Sequence, residues 1–367
     1  MTTQSELRIR QSILSLPQYL PDATFGQVRS LGADATEACG IEALMMNTFH
    51  LMQRPGSSTV KSLGGLHAMS GWQKPIFTDS GGFQAYSLVR QDSRFGQLTD
   101  DGIVFKPEGA GRKFLLTPEK CIQLQVGFGS DVLFCLDDCT HVNDPPDDQL
   151  VSVQRTIQWA RHCRQVFDRL LDEKKVSPAE RPRLFAVIQG GSSIDLRRRC
   201  AEALLEMGFD GYGYGGWPLD SQGNLVSDML ALCRELVPGQ FPMHALGVGH
   251  PFFVAQCAAM GYGLFDSAMP TRDARHGRLY RMRYQPTSDQ FFNDKNWLEY
   301  VYVHDDRHIK ESQPIEPGCD CPTCRRFSLA YIRHLYKLND CLYQQTATQH
   351  NLRFMSRLMA RLREILP

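Results

Sequence analysis

Seven short apolar runs, each ending in polar or glycine-rich residues, recur along the first 270 residues of this chain. Segments of helical periodicity, such as 148–171 and 194–207, lie between them. Continuous apolar strands that alternate with amphipathic helices are typical of a parallel sheet covered by helices, so we predict an α/β fold, a (β/α)8 TIM barrel. A doubly wound open sheet is the alternative, but the Gly-x-Gly-x-x-Gly motif of dinucleotide-binding folds does not follow the first run. The runs span residues 43–48, 75–82, 131–138, 184–191, 211–216, 244–249 and 263–266.

The composition is that of a folded protein that does not enter a membrane. With 42% hydrophobic and 22% charged residues, the 367-residue chain can bury the core of one large domain and a smaller one. No run of roughly 18 uncharged apolar residues is present, and the N-terminus lacks the basic and apolar regions of a secretory signal. Most of the 12 cysteines stand singly in apolar segments, as reduced buried thiols do. We therefore expect a soluble, cytoplasmic protein with no membrane partner.

The sequence predicts that the chain consists of three regions. Prolines interrupt residues 1–42, for which we expect turns and a short hairpin or short strands that lead into the barrel. Residues 43–300 are predicted to form the catalytic barrel. Residues 301–367 are predicted to form a metal-binding subdomain whose helices, over 329–338 and 352–365, pack on the barrel.

Polar groups stand at the ends of the predicted strands, where active sites of such barrels lie. Capping of turns accounts for one or two of them, but not for the whole set. Two facing carboxylates can exchange a glycosidic bond, one attacking the sugar while the other moves protons. A further carboxylate and a carboxamide can bind the amino and carbonyl edge of a planar heterocycle. The set favours nucleobase exchange at a ribose over polysaccharide hydrolysis. Its members are Asn47, Asp79, Asp137, Asp138, Gln189, Gly215, Gly216, Gly247 and Asp266.

A basic segment follows Asp266. Five arginines stand between Arg272 and Arg283 against one acidic residue, Asp273, although the net charge of the chain is zero. Clustered arginines beside a predicted active site indicate a polyanionic partner. A solvated charged face is the alternative interpretation.

Three cysteines near the C-terminus have the spacing of metal ligands. Cys319, Cys321 and Cys324 follow a proline-rich turn, and 25 residues separate Cys324 from His350. Three thiolates and one imidazole match a closed tetrahedral site, which predicts structural zinc. His334 and Cys341 compete with His350 for the fourth position, and redox-active thiols are the alternative interpretation.

Taken in this order, the motifs resemble the tRNA-guanine transglycosylase family from about residue 43 to the C-terminus. The resemblance also favours His350 as the fourth metal ligand. The matching segments are 47–51, 54–56, 64–67, 78–84, 137–139, 189–191, 247–249, 265–266 and 269–272, together with the cysteine spacing.

The resemblance implies a zinc-bearing TIM barrel that exchanges guanine at the wobble position of a G-U-N anticodon in tRNA for a 7-deazaguanine, preQ1 or queuine, in queuosine biosynthesis or salvage. It implies that Asp266 is the nucleophile of a covalent ribosyl intermediate and that Asp79 is the general acid/base. It further implies that Arg272 and Arg275 contact the anticodon loop and that the enzyme is a homodimer. The residues it assigns to base binding are Asp137, Gln189, Gly216, Trp217, Phe83, Leu246 and Cys139.

This chain departs from the family pattern in the loop after Gly216. The family usually has Gly-Gly-Leu-Ala-Val-Gly-Glu there, whereas this chain has Trp217 after the glycines and Ser221 at the glutamate position. Two alternatives remain within the family, namely the same exchange on DNA and a catalytically silent partner subunit. Retention of both Asp79 and Asp266 argues against the silent subunit.

Overall fold

The computed structural model describes residues 4–91, 94, 96–106, 113–141, 144–284 and 286–366. The strands are β1 (Glu6–Ile9), β2 (Ser12–Ser15), β3 (Gln18–Pro21), β4 (Leu44–Met46), β5 (Ile76–Thr78), β6 (Gly96–Thr99), β7 (Gly102–Phe105), β8 (Phe114–Leu116), β9 (Val132–Phe134), β10 (Arg183–Ile188), β11 (Gly211–Tyr214), β12 (Met243–Ala245), β13 (Leu264–Ser267), β14 (Arg278–Met282) and β15 (Leu298–Tyr302). The helices are α1 (Ala33–Glu37), α2 (Thr48–Leu51), α3 (Ser57–Ser62), α4 (Leu66–Ser70), α5 (Gly82–Gln91), α6 (Pro118–Phe128), α7 (Pro146–Glu173), α8 (Ile194–Met207), α9 (Ser227–Leu236), α10 (Pro251–Ala259), α11 (Met269–Arg275), α12 (Ser288–Asn293), α13 (Leu329–Lys337) and α14 (Cys341–Ile365).

Eight of these strands form one sheet in the order β3-β13-β12-β11-β10-β9-β5-β4. Every neighbouring pair in it is parallel. An isolated parallel bridge between Asp22 and Met45 then brings the two outermost strands together. The sheet is therefore nearly closed as a barrel, and the predicted fold class is confirmed.

The eighth barrel strand is β3, which the sequence analysis did not identify. Its four residues are all buried, so polar and apolar residues do not alternate along it. Prolines stand at position 17 and at its end, and the short segment between them gives no periodicity that indicates a strand. The barrel strands consequently run from Gln18 to Ser267, whereas the predicted barrel spans 43–300. Strands β14 and β15, within that predicted span, form a separate antiparallel ribbon.

Apolar side chains of the strands and of the β1–β2 hairpin fill the barrel interior at the amino ends of the strands. Phe77, Phe134, Phe185 and Leu264 point into its interior and belong to one buried cluster. The hairpin of β1 and β2 adds its own apolar residues to that cluster, and Arg10 at its turn donates to the carbonyl of Ser130, just before β9. The hairpin thus covers the amino ends of the strands, so that the carboxyl ends form the accessible mouth.

Helix α14 joins the C-terminal region to the barrel. Ser356 donates to the carbonyl of Cys39 at 2.6 Å, and Arg363 donates to the carbonyl of Pro17 at 2.8 Å. Asn351 donates to the carbonyl of Pro270 in α11 and accepts from the amide of Tyr280 in β14. This long helix therefore fixes the segment that follows Asp266. Within the described part of the chain, no helix is both long enough and apolar enough to cross a membrane.

Candidate active site and metal centre

The carboxyl ends of the barrel strands bring the predicted site residues to one mouth, because parallel strands end on the same side. Asp79 follows β5, and Asp137 lies three residues beyond the end of β9. Gln189 directly follows β10, and Leu246 directly follows β12. Asp266 is the third residue of β13. The strand-end rule therefore grouped residues as far apart in sequence as Asp79 and Asp266, which are separated by 187 positions.

Asp79 is half-buried and held by three donors. Asn47 Nδ2 donates to its Oδ2 at 2.6 Å, and the amides of Thr48 and Gly81 donate to its Oδ1 at 2.9 and 3.1 Å. Burial raises the pKa of Asp79 to about 7, the negative charge of Asp266 adds to the rise, and the amide hydrogen bonds oppose it. A carboxyl group in this environment can give up or take a proton near neutral pH.

Asp266 is in a different environment, although it faces the same mouth. Its Oδ1 accepts from the Nε2 of His244 at 2.9 Å and from the amide of Gly247 at 3.0 Å. The side chain is 20% exposed. Two carboxyl groups at one mouth, one with its pKa raised to about 7 and the other held through a single oxygen, have the arrangement expected of an acid/base and a nucleophile.

Asp137 and Gln189 form a polar pair. Gln189 Nε2 donates to Asp137 Oδ2 at 2.7 Å, and among the described residues Gln189 Oε1 has no hydrogen-bond partner although it is buried. Burial raises the pKa of Asp137 to about 6, and the hydrogen bond from Gln189 opposes that rise. A buried amide oxygen without a partner is costly, which indicates that a ligand completes the pair.

The neighbouring glycines leave room for that pair. A Cβ on Gly215 would stand 2.6 Å from Gln189 Nε2, so a larger residue would displace the amide. Gly216 has φ +86°, which a residue with a side chain rarely adopts. Arg197 in α8 donates to the carbonyls of Ile188 and Gly215 and so fixes the ends of both strands.

Aromatic side chains stand beside the mouth. Phe83 and Trp217 are 44% and 42% exposed, with ring centroids 5.8 Å apart in an edge-to-face arrangement. Phe83 is therefore not a core residue. Leu246 is partly buried and packs against the barrel interior, and Cys139 is almost fully buried.

Three residues in or beside the site were not singled out from the sequence. Asp22 follows β3, and burial raises the pKa of its carboxyl, with the charge of Asp266 adding to the rise. It was missed because β3 was missed. His244 is a polar residue in an apolar strand, and this feature of the sequence could have identified it as a site residue. Arg197 lies on the outer helix α8, and nothing in the sequence distinguishes it from a surface arginine.

The predicted arginines lie on α11, directly after β13. Arg272 is exposed and Arg275 is partly buried. Nη1 of Arg275 is buried and has no hydrogen-bond partner among the described residues. Burial lowers the pKa of Arg275, and the positive charge of Arg29 lowers it further. Helix α11 thus places two arginines next to the mouth, and one of them has an N–H group without an acceptor among the described residues.

The four predicted metal ligands form one buried cluster. Cys319, Cys321, Cys324 and His350 place one ligand atom each within 4.8 Å of one another, so the cluster could hold a metal ion. His350 Nδ1 lies 3.3 Å from the nearest sulfur, and its Nε2 donates to the carbonyl of Tyr280 at 2.7 Å. That hydrogen bond leaves Nδ1 free to bind metal. Cys341, a competing candidate, is exposed and outside the cluster.

Comparison with known proteins shows which proteins the whole chain is similar to. The family model described as "Queuine tRNA-ribosyltransferase" matches residues 4–366, and so includes the N-terminal segment. A protein of that name from Syntrophobacter fumaroxidans is 35% identical over 99% of this chain and 90% of its own length. One from Psychrobacter cryohalolentis is 35% identical over 95% of this chain and 86% of its own length. One from Shewanella sp. strain MR-4 is 36% identical over 98% of this chain and 89% of its own length.

Proposed function

We propose that this chain, which belongs to the queuine tRNA-ribosyltransferase family, exchanges guanine in tRNA for a 7-deazaguanine base. The enzyme is a pentosyltransferase that acts in queuosine biosynthesis or salvage. The observation that carries the proposal is the contrast between two carboxyl groups at one barrel mouth. Asp79 has a pKa of about 7, whereas Asp266 is partly exposed and held in place through one oxygen.

The proposed reaction has two halves. A lone pair of the Asp266 carboxylate forms a bond to C1′ of the ribose, the C1′–N9 bond breaks, and its electron pair leaves with guanine. Protonated Asp79 gives its proton to the departing base. The incoming 7-deazaguanine then loses a proton to ionised Asp79, its N9 bonds to C1′, and the ester bond to Asp266 breaks.

Base recognition is proposed for the pair of Asp137 and Gln189. The Asp137 carboxylate can accept from a ring N–H and an exocyclic amino group, and the carboxamide of Gln189 and the amide of Gly216 can bind a ring carbonyl. Phe83 and Leu246 would contact the two faces of the base, while Trp217 and Cys139 would border it. The partnerless Oε1 of Gln189 is an acceptor for an N–H of the base, and the carbonyl contact falls to its Nε2, which has a second N–H besides the one donated to Asp137.

The proposed polymer is tRNA with a G-U-N anticodon, contacted by Arg272 and Arg275. Arg272 is exposed and Arg275 is partly buried on the same helix beside the mouth, which supports a phosphate contact there. A comparison of labelled-guanine incorporation into an anticodon hairpin and into duplex DNA tests the choice of polymer. Incorporation into the hairpin alone is expected, and incorporation into DNA alone would contradict tRNA as the substrate.

Replacing Arg275 with alanine is expected to raise the KM for tRNA about tenfold and to leave kcat nearly unchanged, because a phosphate contact contributes to binding rather than to the chemical step. The slope of log KM against log salt should also fall by about one unit. Steady-state kinetics from 50 to 200 mM salt measures both, in the range over which such contacts weaken. Arg199→Ala removes an exposed arginine from α8 and is the control. An equal effect of both variants would contradict a specific contact by Arg275.

Zinc is the metal that we propose for the cluster. In a tetrahedral zinc site, sulfur and nitrogen ligand atoms stand about 3.5 to 3.8 Å apart, and the three Sγ–Nδ1 distances of this cluster are 3.3, 3.6 and 3.8 Å. All four positions are filled by protein, so the ion would be structural. It would stabilise the junction of α14 and β14 that positions α11.

Cys321→Ser is expected to remove the metal and lower the Tm by about 10 °C or more, because the lost ligand leaves a buried polar cluster without its ion. Metal analysis and thermal unfolding measure the two effects. Cys341→Ser is the control, since that thiol is exposed and lies outside the cluster. Metal-free Cys321→Ser protein with the Tm of the wild type would show that the ion is not structural.

The family resemblance further leads us to propose a homodimer that works in the cytoplasm. Sedimentation equilibrium of the purified protein, with and without tRNA, tests the dimer. A single protomer that retains full exchange activity at all concentrations would contradict it.

A further inference from the structure

His244 lies fully buried in β12, next to the predicted nucleophile. Its Nε2 stands 2.9 Å from Oδ1 of Asp266, and Nδ1 has no hydrogen-bond partner among the described residues. Since the carboxylate is an acceptor, Nε2 carries a proton and donates it to Asp266. Within the described part of the chain, the ring therefore makes a single hydrogen bond.

Two phenylalanine rings pack against His244. The rings of Phe134 and Phe77 stand edge-to-face with the imidazole, at centroid distances of 5.5 and 6.4 Å. A polar side chain in an apolar core is costly unless its hydrogen bond compensates. Packing alone would be served by another aromatic ring, so the contact with Asp266 is the feature that requires a histidine.

The two oxygens of Asp266 differ as a result. Oδ1 accepts from His244 and from the amide of Gly247, whereas no donor among the described residues reaches Oδ2. Two fixed donors on one oxygen set the rotation of the carboxylate group. The other oxygen keeps its lone pairs for attack on a substrate.

We propose that His244 is a positioning residue that holds Asp266 so that Oδ2 attacks C1′ of the ribose. The inference rests on the proposed function, because it takes Asp266 to be the nucleophile. Oδ2 forms the bond to C1′ while the C1′–N9 electron pair leaves with the base. Oδ1 becomes the carbonyl oxygen of the ester and keeps both hydrogen bonds, so no proton moves to or from His244. Reversal of the step returns the electron pair to Oδ2.

Two substitutions separate positioning from packing. His244→Phe keeps an aromatic ring among phenylalanines but removes the donor, whereas His244→Gln restores an Nε2 donor at a similar reach. Loss of one hydrogen bond to a charged group predicts that His244→Phe forms the covalent adduct about 10- to 100-fold more slowly. The KM for tRNA should change little, and His244→Gln should recover most of the lost rate.

Single-turnover formation of the adduct between full-length protein and tRNA, resolved by denaturing electrophoresis, measures this rate. Steady-state kinetics separates kcat from KM, and thermal unfolding reports on folding. His308→Phe, at a buried histidine outside the barrel, is the control and should retain the wild-type rate.

Three results would overturn the proposal. Equal adduct rates for wild type and His244→Phe would remove the role of His244 and leave the proposed function intact. Equal slowing in the Phe and Gln variants would show that packing matters and the donor does not. Absence of both adduct and exchange in the wild type would instead remove the proposed function itself.

Discussion

Replacing Asp266 with asparagine is expected to abolish the covalent adduct and to lower the exchange rate by at least about 10⁴-fold, because the amide cannot act as a nucleophile. The Kd for tRNA should remain close to that of the wild type. The amide oxygen can still accept from His244 and Gly247, so the local structure has no reason to change. Exchange kinetics, adduct electrophoresis and a tRNA binding isotherm measure the three quantities.

A surface substitution provides the control for Asp266→Asn. Asp172 is exposed in the last turn of α7, which precedes the amino end of β10 and so lies at the opposite end of the barrel from the mouth, and its conversion to asparagine removes the same charge. Exchange should be unaffected in that variant. Strong turnover by Asp266→Asn would show that another group attacks the ribose.

Asp79→Asn is expected to lower kcat by about 10²- to 10⁴-fold, because it removes the proposed general acid and base. The adduct should form far more slowly, since guanine would leave without a proton donor. The Asp79→Asn and Asp266→Asn variants should therefore differ, since the first forms the adduct slowly and the second does not form it. Added weak acids of small size can partly replace a missing proton donor, whereas they cannot replace a nucleophile.

The pH dependence of the wild type follows from the raised pKa of Asp79, which is about 7. A raised pKa means that the protonated, proton-donating form dominates below pH 7 and is lost above it. Single-turnover release of guanine should thus slow as the pH rises past about 7, approaching tenfold per pH unit. Incorporation of the incoming base needs the ionised form and should have the opposite slope below pH 7. Asp79→Asn should lose both slopes, and an unchanged profile in that variant would assign the titration to another group.

The strand-end residues could be predicted because each short apolar run ends at the mouth of the barrel. Asp79, Asp137 and Gln189 were located in this way without any knowledge of pairing. Strand β3 could not be predicted in this way, because a four-residue segment between prolines is too short to show a hydrophobic periodicity. Asp22, which follows β3, was lost with it.

Contacts between strands could not be predicted from periodicity. His244 and Asp266 are 22 positions apart, and only the parallel pairing of β12 and β13 brings the imidazole under the carboxylate. Arg197 acts from the outer layer, where its position on α8 resembles that of any surface arginine. The metal cluster was predictable because its three cysteines are local in sequence, and the family resemblance favoured His350 as the fourth ligand.

Exchange of the base itself is the most direct test of the proposed function. The purified protein is incubated with radiolabelled guanine and unmodified tRNA bearing a G-U-N anticodon, and unlabelled preQ1 or queuine is then added. Label is expected to enter the tRNA, and one of the two 7-deazaguanines is expected to replace the labelled base. Failure of guanine to enter any tRNA, by protein that is folded and loaded with metal, would contradict the proposed function.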